Sequence, residues 1–209
     1  MKVNEIFLSI QGEGMSTGYP TVFVRFTGCN LRCSYCDTKY SYNDGIHMEP
    51  EDIYSEIKKY KYKRVCITGG EPLLQREIHR FLSLLKGFEV NIETNGSIDI
   101  SNFNLYDTHR FTMDIKTPSS LESERMCYSN FHSLRELDEI KFVIGSRNDY
   151  QWAKQIINNY YRRGIIIFSS VFDRIPPKDI ISWILEDELD VKFQLQIHKL
   201  IWNPEKKGV

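Results

Sequence analysis

Three cysteines within eight residues constrain this chain more than any other feature of it. Cys29, Cys33 and Cys36 follow the spacing CxxxCxxC. Such short spacers let three thiolates converge on one small inorganic centre, but they supply only three ligands. A structural zinc site normally takes four protein ligands, whereas a catalytic zinc or a three-thiolate iron–sulfur cube keeps one position open. The spacing therefore predicts a metal centre with one free coordination position.

Zinc is the main alternative on the cysteines alone. Structural zinc sites usually repeat a CxxC or CxxH pair further along the chain, but Cys66 and Cys127 each stand alone. We expect Cys66, inside an apolar stretch, to be a small buried side chain, and Cys127 to be an incidental thiol. Few and clustered cysteines are not typical of a disulfide framework. They favour a reducing, cytoplasmic compartment, where thiols stay free.

Two further features resemble the radical S-adenosylmethionine superfamily. An aromatic residue, Tyr35, stands directly before the third cysteine, and the sequence TGGEP follows at residues 68–72. The resemblance implies that Cys29, Cys33 and Cys36 hold a 4Fe–4S cluster whose open iron binds the amino and carboxylate groups of S-adenosylmethionine. One electron from the reduced cluster would then cleave this cofactor and yield a 5′-deoxyadenosyl radical.

The chain has 209 residues and a net charge of −1, and both values limit what it can be. The length fits a single domain over residues 1–209, because domains commonly contain roughly 100–200 residues. A net charge near zero gives no bulk attraction to nucleic acid. No apolar run reaches the roughly 20 residues that cross a bilayer, and the first residues lack the apolar core of a signal peptide. We therefore expect neither a nucleic-acid nor a membrane partner.

Strand and helix patterns alternate along the chain. Runs rich in β-branched and aromatic residues predict strands, and apolar residues at helical spacing predict helices between several of them. The predicted strands cover residues 6–10, 21–27, 64–68, 89–94, 111–115, 139–144, 164–171 and 191–197, and the predicted helices run through residues 50–60, 74–85, 152–160 and 176–185. Right-handed crossovers then give a mostly parallel sheet. Because fewer than eight βα units are present, the predicted fold class is α/β, an incomplete TIM-like barrel of the radical S-adenosylmethionine type.

Polar or glycine-containing segments follow the predicted strands. These segments are TGCN, TGGEP, TNG, DIKTPSS and QIHK. Ligands bind at the carboxyl ends of parallel strands, so five such segments predict one active site at one edge of the sheet. Arg25 lies inside the strand that leads to the cysteines, and a buried charge is costly without a partner. We therefore expect an anionic or aromatic partner for Arg25.

A set of segments spread over the whole chain resembles the 7-carboxy-7-deazaguanine synthase family. They are SIQGEG at residues 9–14, CDT at 36–38, DIK at 114–116 with PSS at 118–120, HK at 198–199, IW at 201–202 and GV at 208–209. The resemblance implies a carbon–nitrogen lyase that converts 6-carboxy-5,6,7,8-tetrahydropterin into 7-carboxy-7-deazaguanine with loss of ammonia, a step toward queuosine and related 7-deazapurines. It also implies catalytic use of S-adenosylmethionine, a need for Mg²⁺, a homodimer, and a reductant such as flavodoxin or ferredoxin.

A glycyl-radical enzyme activase is the alternative enzyme, because such activases are also short and carry CxxxCxxC. It would act on a backbone glycine of a protein. The segments SIQGEG and HK with IW speak against it.

The resemblance to the synthase family also assigns roles to individual residues. Contacts to the substrate are implied for Ile10, Gln11, Gly12, Glu13, Arg25, Thr68, His198 and the chain end Val209. Contacts to S-adenosylmethionine are implied for Tyr35, Cys36, Asp37, Gly69, Gly70, Glu71, Lys116, Thr117, Pro118 and Ser119. Thr38 would bind the Mg²⁺ that holds the substrate carboxylate. The sequence departs from many relatives at Thr117, where they carry cysteine, and no residue is assigned to assist the loss of ammonia.

Overall fold

A computed structural model describes residues 1–204 and 206–209, and a nine-stranded sheet forms the centre of this described part. The strands are β1 (Lys2–Ile10), β2 (Pro20–Phe26), β3 (Ile46–His47), β4 (Arg64–Gly69), β5 (Glu89–Thr94), β6 (His109–Ile115), β7 (Glu139–Ile144), β8 (Ile165–Ser170) and β9 (Lys192–Phe193). Their order across the sheet is β3-β1-β2-β4-β5-β6-β7-β8-β9. β1 is antiparallel to β2 and to β3, and every other neighbouring pair is parallel.

The strand order describes an open barrel. From β4 onward each new strand joins the sheet beside the previous one, and β3 and β9 form its two edges. A closed barrel would pair those two edges with each other. The predicted α/β fold with mostly parallel strands in an incomplete barrel is therefore confirmed.

The four longest helices of the described part of the chain bury apolar residues, whereas the short last helix buries none. The helices are α1 (Pro50–Lys58), α2 (Ile78–Leu84), α3 (Arg147–Tyr160), α4 (Pro177–Glu186) and α5 (Ile197–Ile201). On α2, Phe81 meets Phe26 of β2 edge to face, with ring centroids 5.8 Å apart. This contact holds α2 over the strand that leads into the cysteines. No helix in the described part of the chain is long and apolar enough to span a membrane.

The end of the chain differs from the sequence prediction. The predicted strand at 191–197 is wrong beyond its first residues, because β9 covers only Lys192–Phe193 and Ile197 already begins α5. Tertiary contacts explain the difference. The side chain of Gln194 accepts a hydrogen bond from Gly14 N (2.6 Å), and Ile197 N donates to Gly12 O (3.2 Å). The segment therefore packs on the loop after β1 instead of extending the sheet.

The apolar stripe predicted over residues 74–85 is also only partly correct. Leu74 lies in a short 3-10 helix, Pro72–Leu74, that precedes α2, and 44% of its surface is exposed. Leu85, at the end of α2, is completely buried, and so is Cys66, as the sequence predicts. A turn between Leu74 and α2 changes which way the residue faces, and the helical spacing does not reveal that turn.

The two leucines give a direct test of this packing. We expect Leu85→Ala to lower the free energy of unfolding by about 2–5 kcal/mol, because it leaves a cavity in the core. Leu74→Ala removes the same atoms from a half-exposed position and should change it by about 0.5 kcal/mol or less. Urea unfolding of both variants measures the difference. Equal decreases in the free energy of unfolding for the two variants would contradict the described packing of α2.

Candidate active site

The carboxyl ends of β2, β4, β5 and β6 bring the predicted site segments together. The loop after β2 carries the three cysteines. Hydrogen bonds join this loop to the segment that follows each of the other three strands: Glu71 N donates to Gly28 O (2.8 Å), Asn95 Nδ2 to Asn30 Oδ1 (3.0 Å) and Ser34 N to Ser120 O (3.0 Å). The segments therefore meet around the cysteines, as their positions after parallel strands predict.

Contacts on both its buried side and its exposed side hold the cysteine loop in shape. Leu31, between the first two cysteines, is 1% exposed and belongs to the hydrophobic core. The guanidinium of Arg32 donates to Cys29 O (2.8 Å) and Leu31 O (2.7 Å), and it lies 4.3 Å from the ring centroid of Tyr42. These contacts give an irregular segment a defined shape without regular secondary structure.

All three cysteines of the loop are free, half-buried thiols. Leu31 N donates to Cys29 Sγ (3.4 Å), and Asn95 Nδ2 lies 3.7 Å from the same sulfur. Burial raises the pKa of the Cys33 thiol to about 11, although the charge of Lys116 acts in the opposite direction. In the cluster-free protein this thiol is neutral near pH 7, so binding of iron must release its proton.

The three thiols lie on one loop and are close enough for their charges to interact. The pKa of Cys33 is raised first by burial and then by the charges of Asp114, Cys36 and Cys29. Among residues 1–204 and 206–209, no three Cys, His, Asp or Glu side chains form a group that could hold a single metal ion. Three such thiols with N–H donors to sulfur are suited to a cluster with one open iron.

Two glycines allow β4 to end against the cysteine loop. Gly69 has a φ of +136°, and a Cβ on it would lie 2.2 Å from Phe26 O. A Cβ on Gly70 would lie 2.0 Å from Gly28 O and 2.9 Å from Cys29 Cβ. Any larger residue would push the two segments apart. The glycines therefore place the main chain of the TGGEP segment beside the first cysteine.

The carboxyl group of Glu71 is completely buried and bonded to the protein. It accepts hydrogen bonds from Leu73 N (3.0 Å), Thr94 Oγ1 (2.9 Å) and Asn95 N (2.7 Å). Burial raises its pKa to about 7, although the hydrogen bonds act in the opposite direction. The side chain ties the ends of β4 and β5 together. The predicted contact of Glu71 with S-adenosylmethionine stays a prediction.

The predicted cofactor segment after β6 contacts the cysteine loop through Thr117. This residue is completely buried, donates from Oγ1 to Val143 O (3.1 Å) and lies 3.3 Å from Tyr35 OH. Burial raises the pKa of Tyr35 to about 12. Next to it, Pro118–Ser120 form a short 3-10 helix, in which Ser119 N donates to Asp149 Oδ1 (2.9 Å).

A lysine–aspartate pair lies at the same edge. Lys116 Nζ is 2.9 Å from Asp114 Oδ2. Burial alone would lower the pKa of Lys116, but the carboxylate of Asp114 raises it above its usual value. The other oxygen of Asp114 is buried and has no hydrogen-bond partner among the described residues. Lys116 therefore brings a fixed positive charge close to Cys33.

The predicted substrate residues Gln11 and Thr68 meet at one carboxylate. Gln11 is 3% exposed, and its Nε2 donates to Glu93 Oε1 (3.2 Å). Thr68 Oγ1 donates to Glu93 Oε2 (2.9 Å). Glu93, on β5, thus connects the loop after β1 with the end of β4. Glu93 was not predicted from the sequence.

The expected partners of Arg25 are present. Its Nε lies 2.7 Å from Glu5 Oε1, and its guanidinium lies 5.8 Å from the ring centroids of Phe7 and Tyr40. Tyr40 OH donates to the same oxygen of Glu5 (3.0 Å). The prediction of an anionic or aromatic partner is confirmed, and both kinds are found.

The helix α5 lies directly against the loop after β1. A Cβ on Gly12 would lie 2.0 Å from His198 Nδ1, so the histidine ring occupies the space that glycine leaves. Glu13 accepts hydrogen bonds from Lys141 Nζ and from Gln196 Nε2. Burial lowers the pKa of His198, although the carboxylate of Glu13 raises it in part. Gly12, Glu13 and His198, all predicted substrate contacts, are therefore neighbours.

The same helix contacts the cysteine loop. Lys199 Nζ donates to Asp37 Oδ2 (2.7 Å), and Thr38 Oγ1 donates to Asp37 Oδ1 (2.9 Å). Burial would raise the pKa of Asp37, but Lys199 holds it well below its usual value. A hydroxyl beside a carboxylate is the kind of oxygen ligand that Mg²⁺ prefers.

Two predicted substrate residues lie at the margin of this region. Ile10 ends β1, where it pairs with Pro20, and it is half-buried. Val209 is also half-buried. The residue before it, Gly208, approaches Glu5, since a Cβ there would lie 3.9 Å from Glu5 Oε2. The chain end therefore runs toward the carboxylate that holds Arg25.

Sequence reasoning missed several polar residues of the site. Glu93 and Lys141 contact predicted site residues and were not predicted at all, whereas Asn95 and Gln196 lie in the predicted segments TNG and QIHK but were given no role. Glu93 and Lys141 lie inside predicted strands, where a charged residue, as with Arg25, is the signal that could have identified them. A cavity of about 490 Å³ lies apart from the cysteines, between the end of β8 and α5, with Phe172, Ile175 and Leu200 in its wall.

Comparison with known proteins gives consistent results. A family model described as the Radical SAM superfamily matches residues 23–181. The 7-carboxy-7-deazaguanine synthase of Clostridium acetobutylicum is 45% identical over 218 aligned positions, which cover 100% of this chain and 99% of that protein. The 7-carboxy-7-deazaguanine synthase of Koribacter versatilis is 40% identical, and the alignment covers 100% of this chain and 100% of that protein.

A solved structure shares the fold. The crystal structure of QueE from Escherichia coli superimposes with a TM-score of 0.70 and 23% sequence identity. The match covers 92% of this chain and 93% of that one.

Iron content tests the proposed ligands. We expect Cys29→Ala, Cys33→Ala and Cys36→Ala each to lose most of the iron and sulfide after anaerobic reconstitution, because two thiolates cannot hold the cluster. Cys127→Ala is the matched control, since its thiol lies 3.1 Å from Ser129 Oγ and not among the three. Chemical iron and sulfide analysis measures the result. A variant that kept full iron would remove its cysteine from the ligand set.

Proposed function

This chain belongs to the 7-carboxy-7-deazaguanine synthase family within the Radical SAM superfamily, and from that premise we propose that it converts 6-carboxy-5,6,7,8-tetrahydropterin into 7-carboxy-7-deazaguanine and ammonia. One structural observation supports this most strongly. The five-residue helix α5 contacts two loops. One is the loop after β1, called the SIQGEG loop from here on because it includes most of residues 9–14, which α5 contacts through Gly12. The other is the cysteine loop, which it contacts through Asp37. A pterin between these two loops would lie next to the radical source.

When bound, the 4Fe–4S cluster and S-adenosylmethionine supply a carbon-centred radical that takes a hydrogen atom from the substrate. The residues of this chain position the partners of that reaction. We assign Cys29, Cys33 and Cys36 to the cluster. The remaining proposed cofactor contacts are Tyr35, Asp37, Gly69, Gly70, Glu71, Lys116, Thr117, Pro118 and Ser119. Close main-chain approach at the two glycines and the charge of Lys116 support this assignment.

The proposed substrate residues present complementary hydrogen-bonding groups. A pterin ring carries N–H donors along one edge and nitrogen and carbonyl acceptors beside them. The carboxylate of Glu13 can accept from such donors, and the amide of Gln11 can do both. Gly12 and Thr68 adjoin these two side chains, and His198 covers Gly12. Ile10, Arg25 and Val209 border the same region and complete the proposed set.

Excluding water matters here, because a carbon radical reacts with whatever lies nearby. The contacts of Ile197 N with Gly12 O and of the His198 ring with Gly12 would help to keep water out on this side. The hydrogen to be removed must also lie close to the radical carbon, which requires a substrate held in one orientation. Contacts from the backbone and buried side chains suit this requirement, since few of them can move.

Several further features follow from the family and belong to the same proposal. We place Mg²⁺ at Thr38, where it would grip the substrate carboxylate. A single-electron reductant, such as flavodoxin or ferredoxin, would reduce the cluster, and the chain would act as a homodimer. Free thiols suit a reducing, cytoplasmic setting. The alternative, a glycyl-radical activase, receives no support from the relatives described above.

A direct assay tests the function. Anaerobically reconstituted protein is incubated with 6-carboxy-5,6,7,8-tetrahydropterin, S-adenosylmethionine, Mg²⁺ and dithionite. We expect 7-carboxy-7-deazaguanine and ammonia in equal amounts, with S-adenosylmethionine regenerated in each turnover. Protein with its full content of iron and sulfide that released neither product would overturn the proposal.

The proposed role of Thr38 makes a separate prediction. Thr38→Val keeps the shape of the side chain but removes the oxygen, so we expect the Mg²⁺ concentration for half-maximal turnover to rise about tenfold or more. Thr38→Ser retains a hydroxyl and serves as the matched control. Titration of turnover with Mg²⁺ measures both variants. Identical titrations for wild type and Thr38→Val would exclude the hydroxyl as a ligand.

A further inference from the structure

Lys141 is a buried lysine on β7, an inner strand of the sheet. Every residue of β7 is buried, and Lys141 is 9% exposed. Lysine is almost never buried to this degree without a partner, because its ammonium group loses the hydration that it has in water. Its side chain extends to the loop after β1 and contacts the carboxylate of Glu13.

Three carboxylates face this ammonium group from three parts of the fold. Glu13 comes from the loop after β1, Glu93 from β5 and Asp114 from β6. Burial alone would lower the pKa of Lys141, but these carboxylates raise it above its usual value. The lysine is therefore charged throughout the physiological range. Together with Lys116, which pairs with Asp114, it balances the negative charges of this region.

Both oxygens of Glu13 are held. Lys141 Nζ donates to Oε2, and Gln196 Nε2 donates to Oε1. Burial would raise the pKa of Glu13, but the charge and hydrogen bond of Lys141, with the hydrogen bond of Gln196, outweigh burial and hold the pKa below its usual value. His198 also faces this carboxylate, and a charge on the imidazole would act in the same direction.

We propose that Lys141 is a positioning residue that keeps Glu13 ionised and fixed in orientation, so that this carboxylate can accept hydrogen bonds from the N–H edge of the pterin. The inference rests on the proposed function and names a residue that the family resemblance does not assign here. Lys141 acts through Glu13 and not on the reacting atoms. Each oxygen of Glu13 receives one hydrogen bond within the protein, and each has a second lone pair for a ligand.

A purely structural role explains the Lys141–Glu13 pair poorly. The free-energy cost of removing two charges from water is about as large as the gain from their attraction, and apolar residues of the same size often stabilise a buried site better. A fold that needed only stability at this place would gain from an apolar pair. A fold that needs a buried anion to bind a ring has a reason to retain the cation beside it.

Substrate binding without S-adenosylmethionine gives a readout that is independent of turnover. We expect Lys141→Met to weaken binding of 6-carboxy-5,6,7,8-tetrahydropterin at pH 7 by about tenfold to a hundredfold, because Glu13 loses its charge and its orientation. Lys141→Arg keeps the positive charge and should recover most of the affinity. Lys154→Met is the matched control. It also removes an ion-paired lysine, 2.8 Å from Asp187 Oδ2, but lies on α3 away from the site.

The pH dependence separates a positioning role from a structural one. In wild type the pKa of Glu13 lies below its usual value, so Glu13 stays ionised from pH 6 to pH 9. Titration of Glu13 should therefore cause no change in the affinity for the tetrahydropterin over this range. Without Lys141, only the hydrogen bond of Gln196 and the charge of His198 still oppose burial, so the pKa of Glu13 rises and the protonated fraction of Glu13 grows toward the lower end of this range. Affinity of Lys141→Met should therefore recover as the pH rises. A loss of equal size at every pH would overturn the inference.

A double variant covers the case in which Lys141→Met folds poorly. Glu13→Gln together with Lys141→Met leaves neither member of the pair charged. If Lys141 acts through Glu13, the double variant binds the substrate as well as Glu13→Gln alone. A further tenfold loss would overturn the inference, because it would show an effect that bypasses Glu13. Wild-type protein that failed to bind the tetrahydropterin at all would instead defeat the proposed function and, with it, the premise used here.

Discussion

The close main-chain contact between the end of β4 and the start of the cysteine loop is the constraint on which the site depends. Gly70 N donates to Phe26 O (3.1 Å), and Glu71 N donates to Gly28 O (2.8 Å). These bonds continue the parallel pairing of β2 and β4 beyond the regular strands. The first cysteine is therefore positioned by the sheet, even though it lies in an irregular loop. Reactants held by such a scaffold need little reorganisation before they react.

Balanced charge in the barrel is the second constraint. The interior holds paired side chains of both signs: Arg25 with Glu5, Lys116 with Asp114, and Lys141 with Glu13. Glu93 adds a further carboxylate, bonded to Gln11 and Thr68. Buried pairs contribute little to stability when compared with apolar packing. A further buried pair, Arg110 with Glu139, lies at the opposite ends of β6 and β7. The pairs near the cysteine loop and the loop after β1 are the ones that could bind a polar ring and a charged cofactor.

Much of the fold and of the cysteine site could be predicted because both depend on local sequence patterns. Strands such as 89–94 and 111–115 have apolar and β-branched residues at close spacing, and the three cysteines need only a short loop. The prediction was wrong where a tertiary contact outweighs the local pattern. Gln194 pairs with Gly14 instead of continuing a strand, and Leu74 lies in a separate turn. In the sequence, Lys141 is a single charged residue within an apolar strand. Only the folded structure shows the carboxylates that face it.

The position of α5 connects these parts. Gln196, just before it, holds Glu13, Ile197 N donates to Gly12 O, and Lys199 holds Asp37 beside the last cysteine. The proposed substrate loop and the cysteine loop are thus secured by one short helix. Displacing this helix would release Glu13 from one of its two donors and free the loop that carries Thr38 at the same time. On the proposed assignment, the geometry that orients the pterin and the geometry that shields the radical from water therefore depend on the same contacts, and one cannot be lost without the other.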